Sequence, residues 1–162
     1  MNTDYMIPIQ ELVDEPEDEK CLYRFAQTAN SFLLSQKWCD GVEAGYLSYG
    51  VDGVLGVFFF DIISAQPNVD NQLWVISGDV PPAYLVCDDA PNPSGALDGY
   101  VYEMRRWVEA VKSDKPTDKL IPVCYQNSTN LVPPTKEFAE MLEGRLQFIE
   151  QEIIPDAKAQ NP

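Results

Sequence analysis

Residues 54–63 read Val-Leu-Gly-Val-Phe-Phe-Phe-Asp-Ile-Ile, and this run limits most strongly what the chain can fold into. Successive side chains point to opposite faces of a strand, so both faces of this strand would be apolar. That pattern is typical of an interior strand in a sheet covered on both sides. A lone buried carboxylate is costly, so we expect the strand to reach solvent at Asp61. The alternative is a general acid with a raised pKa.

Three more segments have the composition of strands, namely residues 42–49, 72–77 and 83–87. The links between them are too short for crossover helices, which predicts an antiparallel meander. Gly78-Asp79-Val80-Pro81-Pro82 is predicted to be a turn, because two prolines cannot donate to a strand ladder. Residues 120–125 are a candidate for one further edge strand.

Apolar residues spaced three and four apart predict helices over residues 16–37, after Asn92, and from Thr135 to Pro155. The acids before the first helix would face the positive end of its dipole, or would form a docking arm for a cationic partner. The predicted fold class is α+β, with an antiparallel three- to four-stranded sheet flanked by three α-helices. We expect one domain over residues 1–154 and a disordered tail over residues 155–162.

The charge balance is strongly acidic: 26 acids stand against 11 bases, histidine is absent, and the net charge is −15. Such a chain is not expected to bind nucleic acid, since it could neutralise few phosphates. It also lacks Ser–His and Cys–His catalytic pairs and the commonest zinc ligand. Ten acids and no Lys or Arg lie between Trp38 and Met104, mostly near predicted strand ends. A field of one sign steers cationic partners, although acidity can also be a general trait of an organism's proteins.

The sequence gives no sign of export or membrane insertion. The first residues lack a basic segment followed by a long apolar one, and the longest apolar run is far shorter than the ~20 residues needed to span a bilayer. The four cysteines contain no Cys-x-x-Cys pair, so we expect free thiols in a reducing compartment. We therefore expect a cytoplasmic protein without a cofactor.

Several carboxylates are candidates for chemistry, but each has a structural explanation as well. Asp88 and Asp89 follow a predicted strand directly, where metal ligands do occur, yet neighbouring side chains point in different directions. Asp79 could accept hydrogen bonds within its own turn. Cys39 stands beside Asp40, which raises the pKa of a thiol and argues against a nucleophile. No phosphate-binding loop, nucleophile elbow or EF-hand loop is present, so we lean against an enzyme.

Residues 73–86, Leu-Trp-Val-Ile-Ser-Gly-Asp-Val-Pro-Pro-Ala-Tyr-Leu-Val, resemble an uncharacterised family of small bacterial proteins, a domain of unknown function. Trp107-Val108-Glu109-Ala110, Pro133-Pro134, Trp38-Cys39 and residues 141–146 fit the same resemblance, which would extend from about Trp38 to Ile154. It implies a bacterial, free-standing protein and no assigned activity.

Two functions remain open. The first is a non-enzymatic protein-binding module, such as an immunity or inhibitor protein for a cationic partner. Its candidate partner-binding residues are Tyr46, Tyr49, Asp52, Asp79, Tyr84, Asp88 and Asp89. The alternative is a carboxylate-based metal or small-molecule site with hydrolytic activity, built from Asp61, Asp79, Asp88 and Asp89. A homodimer through a sheet or helix face is also open, because an apolar face can be covered by either kind of contact.

Overall fold

The computed structural model describes residues 1–14, 20–88, 90–126 and 128–160. A two-residue strand β1 (Ile7–Pro8) and a 3-10 turn (Ile9–Asp14) come first, followed by helix α1 (Lys20–Leu34). Four strands follow: β2 (Gly41–Val51), β3 (Leu55–Ile63), β4 (Gln72–Gly78) and β5 (Val80–Val86). The chain then forms α2 (Pro93–Lys112), α3 (Lys136–Phe148), a π-helical turn (Ile149–Ile153) and α4 (Ile154–Gln160).

The five strands form one antiparallel sheet in the order β1-β2-β3-β4-β5. The predicted α+β class and the antiparallel meander are therefore confirmed. The predicted count of three to four strands is wrong, because β1 contributes a fifth. Only Ile7 and Pro8 pair with β2, and two residues are too few to show a period in the sequence.

The sheet is covered on both faces, as the apolar pattern of β3 predicts. Val57 and Phe59 pack into a core beneath α2, α3 and α4, whereas Phe58 and Phe60 pack into a second core beneath α1. All four side chains are completely buried. Hydrogen bonds fix the layers further, since Ser77 Oγ donates to the Phe25 carbonyl at 2.6 Å and ties β4 to α1.

Side chains cap the first turns of α2 and α3. The Asn92 side chain accepts from the backbone N–H of Gly95 at 2.8 Å, and the Thr135 hydroxyl accepts from that of Phe138 at 3.3 Å. Each cap satisfies a donor that the first helical turn leaves unpaired. The apolar stripe predicted for α2 is buried along its whole length: Ala96, Leu97, Tyr100, Val101, Met104, Trp107, Val108 and Val111.

At residues 81–82 and 120–125 the structure differs from the predicted elements. Pro81 and Pro82 belong to β5 and not to a turn; β5 is an edge strand, and both prolines lie at an irregularity in its pairing with β4, between the pairs Gly78–Val80 and Ile76–Ala83, where a sheet tolerates proline. Residues 120–125 form no strand, only an isolated bridge between Cys124 and Leu131. The expected acidic start of α1 at residues 15–19 lies outside the described residues.

The carboxyl-terminal segment is helical through Gln160, which differs from the predicted disordered tail. The π-helical turn carries the chain past Pro155, because the Ile154 N–H bonds to the Ile149 carbonyl five residues earlier. Ile154 and Ala157 are then buried against the core beneath α2, and this packing holds α4 in place.

Within the described residues, no helix is long and apolar enough to cross a membrane. None of the four cysteines forms a disulfide.

Candidate functional site

Four carboxylates line one cleft at the end of the sheet where β3 finishes and β4 begins. We call this the acidic cleft, and define it by Glu43, Asp61, Asp70 and Asp88; its volume is about 460 Å³. An irregularity in the pairing of β2 with β3 leaves Glu43 without an opposite residue, and such a bulge re-aims a side chain. Asp70 lies in the loop before β4, and Asp88 follows the last residue of β5 by two positions.

The charged side chains that line the acidic cleft are all acidic. No Lys or Arg side chain is among the described residues that line it, and Asp61 accepts a hydrogen bond from Gln72 Nε2 at 3.1 Å. Three of its carboxylates, those of Glu43, Asp70 and Asp88, are exposed. Negative charges gathered in a concave surface attract cations more strongly than the same charges spread apart.

Cys87 also lines the acidic cleft, and its surroundings suppress its reactivity. Burial first, and then the carboxylate of Asp88, raises the pKa of the Cys87 thiol to about 11. The amino group of Met1 acts in the opposite direction and is outweighed. Because the thiolate is the reactive form, Cys87 is a poor nucleophile near neutral pH.

Asp61, Asp79 and Asp88 do not form the metal site considered from the sequence. Asp79 joins β4 to β5, at the opposite end of the sheet from Asp61 and Asp88. No group of three or more described Cys, Asp or Glu residues is arranged to hold a metal ion. Asp89 lies outside the described residues.

Asp79 has structural partners at its own end of the sheet. Its side chain accepts from Gln126 Nε2 at 2.9 Å and lies 3.6 Å from Arg145 Nη2. Arg145 Nε donates to the Asp79 carbonyl at 2.8 Å, and the Asp79 N–H bonds to the Val54 carbonyl at 2.7 Å. The residue therefore joins two turns, the segment after α2 and helix α3. Asp52 lies exposed in the turn between β2 and β3, at this same end.

The three candidate tyrosines lie on different faces of the sheet. Tyr46 and Tyr49 pack on the core beneath α2, with Tyr46 half-buried and Tyr49 buried. Tyr84 packs on the opposite core, where its ring meets that of Trp38 at a centroid distance of 4.9 Å. The structure therefore does not bring the described candidates into one surface. Only Asp88 lies in the acidic cleft, and Glu43, Asp61 and Asp70 were not among the partner-binding candidates.

A small apolar pocket of about 340 Å³ opens between α2, α3 and the segment before α3. Trp107, Phe138 and Met141 contribute apolar walls, and Arg145 contributes the charged group. Met141 lies at this opening and is 55% exposed. Arg145 already pairs with Asp79, so the pocket presents little free charge.

Comparisons of the chain with models of protein families, with curated proteins and with solved structures found no match. The resemblance of residues 73–86 to a family of unknown function stays a prediction.

Proposed function

We propose that this chain is a non-enzymatic protein-binding module that holds a cationic partner, as an immunity or inhibitor protein does when it blocks a basic cleft. The acidic cleft is the observation that carries the proposal. Four carboxylates converge there with no Lys or Arg on the described lining. Charges of one sign steer an oppositely charged partner into register and raise its association rate.

The remaining chemistry of the chain supports binding over catalysis. Histidine is absent, so the commonest general base is missing. Burial raises the thiol pKa of Cys39, Cys87 and Cys124, which disfavours the nucleophilic thiolate. No specific observation on the described residues favours the metal-dependent hydrolytic alternative.

The test compares two double variants that remove the same number of charges. Asp61→Asn with Asp88→Asn neutralises half of the acidic cleft, and Glu137→Gln with Glu140→Gln neutralises exposed acids on α3. Octalysine, labelled with a fluorophore, is the cationic probe, and its affinity is measured by anisotropy over a series of salt concentrations. We expect the cleft variant to lose about fivefold or more in affinity, with a shallower salt dependence, because close charge pairs are worth about 1 kcal/mol or more.

The α3 variant should bind octalysine nearly as well as the unchanged protein. Equal losses in both double variants would show that only total charge matters, and the acidic cleft would then have no special role. Absence of measurable octalysine binding at low salt would remove the proposal altogether.

A further inference from the structure

Strand β5 leaves one edge of the sheet unpaired. It pairs only with β4, and no backbone hydrogen bond joins it to the described residues of the segment after α2. Pro81 and Pro82 protect its first half, because proline cannot donate to an added strand. Residues 83–86 contain neither proline nor lysine, so this half lacks the two side chains that most often protect an edge.

A groove of about 1020 Å³ runs along this unprotected half of β5. Its walls come from the end of α1 with the residues after it, from the first half of α2, and from residues 119–131. Helices α1 and α2 cover opposite faces of the sheet, so the groove lies between them at the place where a sixth strand would pair. Gly95 and Gly99 face the groove from α2, and a Cβ added at Gly99 would lie 3.4 Å from Leu85. The absence of a side chain at Gly99 leaves room in the groove beside Leu85.

The rim of the groove carries apolar side chains that water reaches. Val86 is 40% exposed, Tyr102 64% and Leu131 63%. An exposed apolar patch beside a free strand edge is typical of an interaction surface and not of a simple solvated edge.

A cationic occupant is favoured by the acids of the α2 wall together with the acidic cleft at the end of the groove. Asp98, which is exposed, and Glu103 lie on the α2 wall, and Lys119 is the one base among the described lining residues. Arg106 lies 3.6 Å from Glu103 and neutralises part of its charge. Beyond Val86 the chain continues through Cys87 to Asp88, which places the acidic cleft at the end of the groove. A second copy of this chain would bring the same acids and a net charge of −15, so self-pairing is opposed by repulsion.

We propose that residues 83–86 of β5 are a strand-addition site, where an extended cationic segment of a partner protein pairs with the edge of the sheet between α1 and α2. Backbone hydrogen bonds would supply affinity, and the alternating side chains of the segment would meet the apolar rim and the acids of α2. This inference rests on the proposed function, since it specifies how the cationic partner is held.

The first test uses a capped peptide of alternating Lys and Val, six residues long, and its counterpart with Glu in place of Lys. Neighbouring residues of a strand direct their N–H groups to opposite edges, so N-methylation of all valines or of all lysines blocks one edge at a time. We expect the Lys-Val peptide to shift the amide resonances of residues 83–86. The Glu-Val peptide should bind at least tenfold more weakly, and at least one methylated form of the Lys-Val peptide should lose at least tenfold in affinity. Unchanged binding by both methylated forms would overturn the proposal.

The second test changes the protein. Val86→Lys places an edge-protecting lysine in the groove, and Ile63→Lys is the matched control, because Ile63 is a strand residue that is 53% exposed and lies outside the groove. We expect Val86→Lys to lower the affinity for the Lys-Val peptide at least tenfold. Ile63→Lys should change this affinity less than threefold. Equal effects would overturn the site, as would sedimentation data in which Val86→Lys converts a dimer to a monomer.

The two proposals fail in distinguishable ways. Octalysine binding could depend on Asp61 and Asp88 while the affinity for the Lys-Val peptide is unchanged by Val86→Lys and by N-methylation. That result would overturn the strand-addition site and leave the binding function standing. If neither probe binds the unchanged protein, both proposals fail together.

Discussion

At the scale of single residues, Tyr49 makes the best-defined polar contact between the sheet and the carboxyl-terminal helix. Its hydroxyl donates to Asp156 Oδ2 at 2.6 Å, which joins β2 to α4. Burial, and then the hydrogen bond to Asp156, raises the pKa of the Tyr49 phenol above its ordinary value. The neutral phenol is therefore the form that the folded state favours.

We expect Tyr49→Phe to lower the free energy of unfolding by about 1 kcal/mol, because one hydrogen bond is lost while the ring still packs. Urea unfolding at neutral pH measures this change. Tyr46→Phe is the control, since no hydrogen bond of the Tyr46 hydroxyl occurs among the described residues. It should change the free energy of unfolding little. Equal losses in the two variants would show that the contact with Asp156 contributes nothing.

The same contact predicts a dependence on alkaline pH. Because the folded pKa of Tyr49 exceeds the unfolded value of about 10, its contribution is complete below that pH and is lost as the pH rises toward the folded pKa. The free energy of unfolding should therefore fall above pH ~10, and less steeply in Tyr49→Phe. Urea titrations at several alkaline pH values check the difference in slope. Identical slopes would contradict the shift.

A third prediction at this scale concerns the Cys87 thiol. With its pKa raised to about 11, alkylation of Cys87 by iodoacetamide should keep accelerating with pH well beyond the range of an ordinary thiol. Asp88→Asn removes a carboxylate that raises this pKa, so the rate near pH 8 should increase several-fold. Peptide mapping by mass spectrometry isolates the Cys87 rate, and Asp118→Asn, which removes an acid from the segment after α2, is the control. A rate that is unchanged in Asp88→Asn would mean that the Asp88 carboxylate does not contribute to the raised pKa of Cys87.

At the scale of elements, Gly78 shows how closely two strand ends approach. Its φ is +145°, and an added Cβ would lie 2.5 Å from both Leu55 Cα and the Val54 carbonyl oxygen. Gly53 also has a positive φ, +75°, but nothing lies within 4 Å of an added Cβ there. These two positions separate the cost of backbone conformation from the cost of a backbone clash.

We expect Gly78→Ala to destabilise the protein by more than ~3 kcal/mol, whereas Gly53→Ala should cost about 1 kcal/mol from its left-handed backbone alone. Thermal and urea unfolding of the two variants make the comparison. Similar small costs at both positions would show that the turn between β4 and β5 relaxes freely.

Much of the fold could be predicted because the apolar pattern of long elements reports their burial directly. Strands β2 to β4 and the buried stripe of α2 are examples, and β3 was correctly placed in the interior. The two-residue strand β1 has no such pattern. The start of β5 was missed because the sequence shows that a proline lacks an N–H but not that Pro81 and Pro82 lie at a bulge of an edge strand.

The candidate site was harder to predict because it depends on register. Tyr46 and Tyr49 are three residues apart and should point to opposite faces of a regular strand. Both pack on one core, since the pairing of β2 with β3 is irregular between Leu47 and Tyr49. The grouping of Asp61 with Asp88 and away from Asp79 follows from the antiparallel order, and the sequence contained that signal.

At the scale of the whole molecule, the ion pairs are unevenly distributed. Among the described residues they join Arg105 to Glu143 and Glu150, Arg106 to Glu103, and Arg145 to Asp79. All of these pairs involve α2 or α3. None includes the described carboxylates of the acidic cleft, so these four carboxylates repel one another with no Lys or Arg on the described lining, although the Met1 amino group acts on Cys87 there.

Salt should therefore stabilise this protein by screening. At about 0.1 M salt the screening length is ~10 Å, comparable with the spacing of charges on a protein surface. We expect Tm to rise with ionic strength to the same extent in sodium and magnesium chloride of equal ionic strength, and Asp61→Asn with Asp88→Asn to raise Tm at low salt and flatten this dependence. A saturable rise in Tm with one divalent cation alone would instead indicate a specific metal site.

The variant that combines Asp61→Asn with Asp88→Asn also tests why the acids are there. If this variant gains stability and loses affinity for octalysine, the acidic cleft is maintained for binding at a cost to the stability of the fold, as functional surfaces commonly are. If it gains stability and keeps its affinity for octalysine, acidity is a general trait of the chain and the proposed function loses its support.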